Sequence, residues 1–156
     1  MAMTIGRMDL RELVREVVDE LEMQAREKGV RLVCALDEPL WVKADRDRLS
    51  QVFFNLFTNA INYGRESGVC EVRCFPLAEQ VLVEVADDGI GISAEHLPRL
   101  FERFYRVGKS RSRHEGGSGL GLAIVKHIIE SHGQSISVKS EEGKGTTFSF
   151  TVQRAK

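Results

Sequence analysis

The chain is poor in proline and cysteine, has almost no net charge, and lacks a long hydrophobic run. Its 156 residues include three prolines and three cysteines, and 22 basic residues stand against 23 acidic ones, for a formal net charge of −1. So few prolines exclude a proline-rich linker, and a near-neutral charge argues against a dedicated nucleic-acid binder. No apolar run approaches the ~20 residues that a membrane-spanning helix needs. The composition predicts one folded domain but names no activity.

The cysteines indicate a reducing environment. Cys34, Cys70 and Cys74 form neither an even set for disulfide pairing nor a CxxC motif, so reduced thiols are expected. Residues 1–13 lack the apolar segment of a secretory signal. We therefore predict a cytoplasmic domain.

Hydrophobic periodicity predicts an α+β domain over residues 9–153. Apolar residues at helical intervals, followed by glycines, predict three main helices, over about 9–29, 45–63 and 119–133. Alternating segments predict strands over 30–36, 40–42, 69–75, 81–86, 135–139 and 146–152. This order indicates two layers, with about three helices on one face of a mixed, mostly antiparallel sheet. Residues 40–42 are expected at a sheet edge, and residues 1–8 as a disordered tail or an addition to the natural chain.

Three asparagines lie on one side of the second predicted helix. At about 100° per residue, Asn55, Asn59 and Asn62 fall within ~60° of each other, beside the apolar stripe. Asparagine is a mediocre helix former, so three on one side need a reason. A solvated polar face is one explanation. The functional interpretation is a row of neutral oxygens lining a pocket, which suits Mg²⁺ that arrives with phosphates.

Residues 87–91, Asp-Asp-Gly-Ile-Gly, form a glycine turn directly after a predicted strand. Glycines let the backbone turn tightly and approach a planar ligand, and a neighbouring carboxylate can accept from an exocyclic amine such as adenine N6. The overlapping pattern GxGxxA at 89–94 is typical of a dinucleotide-binding turn, but the two preceding carboxylates would repel a pyrophosphate and the parallel βαβ order is missing. An acidic β-turn without a ligand remains an alternative.

A basic segment precedes the third predicted helix. Between residues 103 and 114 the chain has five basic side chains and no acidic one: Arg103, Arg106, Lys109, Arg111 and Arg113. The glycine-rich stretch 116–121 then opens the helix, whose free N–H groups suit a phosphate. The pattern predicts a cationic lid over a polyphosphate, at about 101–118, and a solvated loop is the alternative.

Taken in order, these segments resemble the motifs of sensor histidine kinases. Residues 55–63 are similar to the N box, 87–91 to the G1 box, 100–106 to the F box, 117–125 to the G2 box and 143–148 to the closing glycine motif. The resemblance covers residues 9–152. It implies the Bergerat ATP-binding fold, an α/β sandwich shared with gyrase B, MutL and a heat-shock chaperone. It also implies ATP and Mg²⁺ as cofactors and transfer of the γ-phosphate to a histidine.

The resemblance carries roles over residue by residue. It implies that Asn59 ligates Mg²⁺ with help from Asn55, and that Asp87 binds adenine N6. The other implied nucleotide-binding residues are Asn62, Tyr63, Gly89, Gly91, Ile92, Leu97, Gly117, Gly119, Leu120, Gly121 and Thr147. The implied mobile cations, which complete the catalytic set with Asn55 and Asn59, are Arg103, Arg106 and Lys109.

Two departures from the family pattern matter. Asn62 stands where the N box usually has a basic residue, so ATP is expected either to bind more weakly or to depend more on the lid. None of the four histidines has the setting of a phosphoacceptor, so we interpret the chain as a catalytic domain excised from a longer kinase and monomeric by itself. Its implied partners are the histidine-bearing dimerisation domain of the same kinase and a downstream response regulator. Phe101 and Phe104, three residues apart, are expected to dock that histidine hairpin unless both are core residues.

Two other functions stay open. An ATPase switch of the gyrase or MutL kind would need a water-activating carboxylate where Asn55 stands, and an amide is a poor general base. A non-catalytic nucleotide-binding module is suggested only by Asn62.

Overall fold

The structure is a computed structural model that describes residues 2–105 and 121–156. Within these ranges the helices are α1 (Leu10–Lys28), α2 (Arg46–Asn62) and α3 (Gly121–Ser131), with one turn of 3-10 helix at Leu97–Arg99. The strands are β1 (Ile5–Asp9), β2 (Val30–Cys34), β3 (Trp41–Asp45), β4 (Gly68–Pro76), β5 (Gln80–Asp87), β6 (Ile136–Glu141) and β7 (Gly145–Arg154). No helix in the described ranges is long and apolar enough to cross a membrane.

Aspartates start the first two helices. The Asp9 carboxylate accepts a hydrogen bond from Arg11 N at 3.0 Å, and the Asp45 carboxylate accepts one from Arg48 N at 3.0 Å. Each bond satisfies a backbone donor that has no partner within the helix. Gly29 ends α1 with a φ of 75°, a left-handed conformation that glycine adopts without steric cost. These local signals explain why the predicted bounds of α1 and α2 agree with the structure to within about two residues.

The strands form one mixed sheet in the order β1-β3-β7-β5-β4-β2, with β6 also paired to β7. β2 and β4 run parallel, and the remaining described pairs are antiparallel. Side chains alternate between the two faces of a strand. The pairs Val83–Phe150 and Val85–Phe148 are buried in the core with the apolar sides of the helices, so this face is the inner one. The predicted α+β sandwich is confirmed.

The prediction of a disordered N-terminal segment is wrong for residues 5–8. Strand β1 pairs antiparallel with β3, from Ile5 opposite Asp45 to Asp9 opposite Trp41, and Met8 is buried. The same pairing corrects the expected edge strand, because β3 lies between β1 and β7. Short strands such as β1 have little pattern of their own, and the partner strand decides their conformation.

Asp45 joins three parts of the fold. Its carboxylate accepts from Thr4 N at 2.8 Å as well as from Arg48 N, and its own N–H donates to His132 Nε2 at 3.0 Å. Hydrogen bonds from these backbone groups hold the pKa of the Asp45 carboxyl below its usual value. The N-terminal strand, the start of α2 and the end of α3 therefore meet at one residue.

The cysteines are free thiols in the described chain. Burial raises the pKa of Cys74 to about 12, and it also raises the pKa of Cys70. Both side chains stay protonated at neutral pH and pack as small apolar groups.

Candidate functional site

The glycine turn after β5 is fixed on one side by its own aspartates. Asp87 Oδ1 accepts a hydrogen bond from Gly89 N at 2.9 Å. Asp88 pairs with Val69 twice: Val69 N donates to Asp88 Oδ1 at 2.9 Å, and Asp88 N donates to Val69 O at 3.3 Å. The two carboxylates therefore shape the turn and its junction with β4.

The other side of the turn is tied to α2 and to the β6–β7 turn. Ile90 N donates to Tyr63 O at 3.2 Å, and Gly143 N donates to Ile90 O at 2.8 Å. Arg65, just beyond α2, donates from Nη2 to the Gly143 carbonyl. Three segments distant in sequence thus converge on residues 88–91.

Gly89 and Gly91 are required by backbone crowding. A Cβ on Gly89 would lie 2.5 Å from Tyr63 O, and a Cβ on Gly91 would lie 2.1 Å from Glu141 O. Gly91 also has a φ of 74°, a conformation that favours glycine. The sequence suggested that the glycines admit a ligand; contact with the protein's own backbone already demands them.

Asp87 is half-buried at the end of β5. Burial raises the pKa of its carboxyl above the usual value, and hydrogen bonds from the backbone of Gly89 and Thr146 oppose that shift. The carboxyl lies on the inner side of the strand, in the same row as Val85 and Val83. It is an acceptor at the border of the core.

The neighbour of Asp87 on β7 is Thr146 and not the predicted Thr147. Asp87 pairs with Thr146, whereas Thr147 pairs with Ala86 and its side chain points to the opposite face of the sheet. Thr146 is only 5% exposed. Alternation with the apolar Phe148 could have revealed this, because residues 146 and 148 share a face and residue 147 does not.

Ser140 organises the neighbourhood of Thr146. Its Oγ donates to Gly145 O at 2.8 Å and accepts from Ile92 N at 2.7 Å, and it lies 2.8 Å from Thr146 Oγ1. Since the Ser140 proton goes to Gly145 O, the Thr146 hydroxyl donates to Ser140 and keeps its lone pairs as acceptors. Sequence reasoning missed Ser140, because its role depends on the pairing of β6 with β7.

The asparagines of α2 are half-buried and differ in their contacts. Asn55 Nδ2 donates to Gly121 O at 3.3 Å, so its amide links α2 to the first residue of α3. The side chains of Asn59 and Asn62 form no hydrogen bond with any described residue. Among residues 2–105 and 121–156, no three His, Cys, Asp or Glu side chains are grouped to hold a metal ion. A metal on this side would use amide oxygens.

The F-box phenylalanines have different environments. Phe101 packs against the core and meets Phe148 edge-on, with ring centroids 6.1 Å apart. Phe104 is 68% exposed. Phe101 is thus partly buried against the core and Phe104 lies at the surface, so docking of the histidine hairpin stays a prediction, with Phe104 as its exposed residue.

The remaining predicted site residues are only partly described. Ile92 and Leu97 are half-buried and pack against the core beyond the glycine turn. The exposed Arg103 lies with Phe104 at a groove of about 490 Å³ between α2 and α3. The predicted residues Arg106, Lys109, Gly117, Gly119 and Leu120 lie outside the described residues, as does most of the predicted lid.

The chain matches one protein-family model over residues 44–156, that of the histidine kinase-, DNA gyrase B- and HSP90-like ATPases. The chain belongs to this family. The resemblance predicted from the motifs is confirmed.

Similar proteins indicate which kind of ATPase within this family the domain resembles. Sensor histidine kinase WalK of Bacillus subtilis (strain 168) is 40% identical over 139 residues, which cover 87% of this chain and 23% of WalK. Sensor histidine kinase YkoH of the same strain is 45% identical over 118 residues, which cover 74% of this chain and 26% of YkoH. The chain spans about a quarter of the length of these relatives.

Solved structures agree with that type. The nucleotide-free catalytic domain of histidine kinase ThkA superposes with a TM-score of 0.83 at 32% identity, covering 97% of both chains. Full-length ShkA in complex with AMPPNP gives 0.85 at 29% identity, covering 99% of this chain and 32% of ShkA. ThkA in complex with the response regulator TrrA gives 0.78 at 28% identity, covering 97% of this chain and 42% of that one. The ATPase domain is of the histidine-kinase type, which confirms the predicted fold.

Gly91→Ala tests the crowding at the turn, and Gly133→Ala is its matched control. Both glycines have a φ of 74°, but a Cβ on Gly133 would meet nothing within 4 Å. In the control the free energy of unfolding should fall only by the cost of a left-handed backbone at a residue with a side chain, about 1–2 kcal/mol. Gly91→Ala should lose clearly more free energy of unfolding in urea, because the end of β6 must move. Equal losses would contradict the crowding.

Proposed function

We propose that this domain binds Mg–ATP and transfers the γ-phosphate to a histidine on the dimerisation domain of the same full-length kinase. The observation that carries the proposal is the half-buried Asp87 carboxylate, held on a cross-linked glycine turn in a domain of the histidine-kinase type. ATP fits this place because the carboxylate can accept from its adenine and the adjoining side of α2 offers neutral amides.

Asp87 is the proposed acceptor for adenine N6–H. The bond from Gly89 N at 2.9 Å holds the carboxylate in one orientation before a base arrives. The lone pairs of the Thr146 hydroxyl lie on the same face, so Thr146 takes the role that the resemblance gave to Thr147. Ile92, Leu97 and Tyr63 border the base, while Gly89 and Gly91 let the turn pack against the neighbouring backbone and hold Asp87 in place.

Asn59 is the proposed protein ligand of Mg²⁺. Its half-buried side chain has no hydrogen-bond partner among the described residues, so its oxygen can serve a hard cation that brings phosphates as its other ligands. The amide nitrogen of Asn55 donates to Gly121 O. The amide oxygen of Asn55 takes no part in that bond, and we assign it a supporting role in binding Mg²⁺. Asn62 has the same exposure and contributes polarity without charge.

The phosphates need cations that α2 does not supply. We assign that role to Arg103, Arg106 and Lys109, the last two from the sequence pattern alone. Backbone N–H groups at the start of α3 suit the phosphate oxygens, and the residues proposed to provide or border them are Gly117, Gly119, Leu120 and Gly121. In this account the asparagines orient the nucleotide and the basic side chains neutralise it.

Transfer to histidine is favoured over hydrolysis. In phosphoryl transfer the protein mainly positions the reactants and neutralises charge, and bound Mg²⁺ supplies part of the positive charge. Asn55 stands where gyrase-like relatives keep a glutamate that activates water, and its nitrogen is 3.3 Å from Gly121 O. An amide cannot take a proton from water at neutral pH. The ATPase switch is therefore the weaker candidate.

The partners follow from the relatives. This chain spans about a quarter of WalK and YkoH, and we propose that the histidine hairpin lies elsewhere in its full-length protein. ThkA, whose catalytic domain has this fold, has been solved with a response regulator, and we propose a response regulator as the downstream partner here. The reaction would take place in the cytoplasm, where ATP is available.

Transfer of labelled phosphate tests the proposed function. The domain should pass the γ-phosphate of ATP to a separately supplied histidine hairpin of its own full-length kinase. Label should be absent from a hairpin with the histidine replaced by Gln, and EDTA should abolish transfer. Free phosphate released without a labelled hairpin would favour an ATPase switch, and tight ATP binding with neither product would favour a non-catalytic module.

Asp87→Asn should weaken ADP binding without unfolding the domain. Loss of the carboxylate leaves a buried N6–H donor poorly satisfied, which costs about 1–3 kcal/mol, or roughly 5- to 150-fold in affinity. Calorimetric titration measures the affinity, and Glu84→Gln is the control, since Glu84 lies on the same strand but on the outer face. Wild-type affinity in Asp87→Asn would remove Asp87 from the base site.

A further inference from the structure

A closed circuit of hydrogen bonds surrounds the glycine turn. It runs from Tyr63 O to Ile90 N at 3.2 Å, from Ile90 O to Gly143 N at 2.8 Å, and from Gly143 O to Arg65 Nη2. The chain from Tyr63 to Arg65 closes it. The first two links are bonds between backbone groups, and the third depends on the Arg65 side chain.

The backbone of Arg65 is itself fixed. Its carbonyl accepts from Gly68 N at 2.9 Å, and a Cβ on Gly68 would lie 2.8 Å from that carbonyl oxygen. The exposed Arg65 side chain therefore extends from a hydrogen-bonded turn to the β6–β7 turn, where its guanidinium donates to Gly143 O.

The circuit acts on the part of the turn that solvent reaches. Ile90 is 45% exposed, so the turn lies at the protein surface at this residue. Arg65 secures the β6–β7 turn from the far side, which keeps Gly143 N on Ile90 O. The position of Ile90 in turn sets that of its neighbour Gly89, whose N–H orients Asp87 Oδ1.

A phosphate contact is the rival explanation, because Asn62 leaves the N box without its usual cation. Arg65 lies beyond the C-terminal end of α2, on the side of Tyr63 and the glycine turn, and its guanidinium is committed to the Gly143 carbonyl. Asn59 lies a full turn back along α2. The geometry favours the base end of the site.

We propose that Arg65 is a positioning residue for base recognition: it closes the hydrogen-bond circuit that holds the glycine turn, and through Gly89 it keeps the Asp87 carboxylate aimed at the purine. The inference rests on the proposed function, in which adenine is bound at Asp87. Arg65 touches neither the base nor the phosphates.

ADP and inosine diphosphate separate the two roles, because they differ at purine C6, where adenine carries the amine, and share their phosphates. Arg65→Ala should weaken ADP about 3- to 10-fold, the range of one hydrogen bond, and leave inosine diphosphate nearly unchanged. Arg65→Lys should recover part of the preference for ADP, since its ammonium can also donate to Gly143 O. The control is Arg26→Ala, an exposed arginine on α1 paired with Glu22, which should bind both nucleotides as the wild type does.

Amide hydrogen exchange gives a readout without nucleotide. Arg65→Ala should speed exchange at Gly143 and Ile90 and leave the β7 amides as protected as in the wild type. Unchanged exchange at these two positions would overturn the proposal, as would equal weakening of ADP and inosine diphosphate. If the affinity loss of Arg65→Ala grew from AMP to ADP to ATP, the proposal would be overturned in favour of a phosphate contact. A wild type that binds both diphosphates equally would defeat the adenine site itself, and the role of Arg65 with it.

Discussion

The candidate site depends on one packing constraint: at positions 89 and 91 the turn after β5 runs too close to two neighbouring segments to carry a side chain. A Cβ on Gly91 would meet Glu141 O at 2.1 Å, and a Cβ on Gly89 would meet Tyr63 O at 2.5 Å. Backbone in contact with backbone leaves few alternative arrangements. The end of α2, the end of β5 and the β6–β7 turn are therefore held together, and the Asp87 carboxylate is placed at their junction.

The pairing of β5 with β7 connects the glycine turn and Asp87 to the hydrophobic core. Val85 lies opposite Phe148 and Asp87 opposite Thr146, so the row of inner side chains changes from apolar to polar at the end of the sheet. Phe53 of α2 packs on Phe150, with ring centroids 5.7 Å apart. The same contacts that stabilise the fold thus hold α2 against the inner face of the sheet.

Local sequence signals were enough to predict much of the fold. Asp9 and Gly29 mark the two ends of α1, and they could be predicted because capping depends on a few neighbouring residues. The sequence of residues 87–91 likewise predicted a turn after a strand. Contacts between segments distant in sequence could not be predicted in this way. Strand β1 forms because β3 is available to pair with it, and Arg65 has no motif that predicts a bond to Gly143 O.

The exchange of Thr147 for Thr146 shows the limit most clearly. The family motif names a threonine after the closing glycines, but two adjacent threonines point to opposite faces, and a shift of one residue reverses them. Only the register shows which of them shares a face with Asp87, and it places Thr146 opposite Asp87. Phe101 is a similar case, because the three-residue spacing predicted a shared face with Phe104, whereas Phe101 is partly buried against the core in contact with Phe148.

We propose that the base site is the inner face at the end of β5 and β7, where Asp87 and Thr146 lie together. The most direct measurement is the ADP affinity of Thr146→Val and of Thr147→Val, by calorimetry on variants with wild-type melting temperatures. Valine keeps the shape of threonine and removes the hydroxyl. We expect ADP to bind more weakly to Thr146→Val and with wild-type affinity to Thr147→Val. Weaker binding in Thr147→Val with an unaffected Thr146→Val would contradict it.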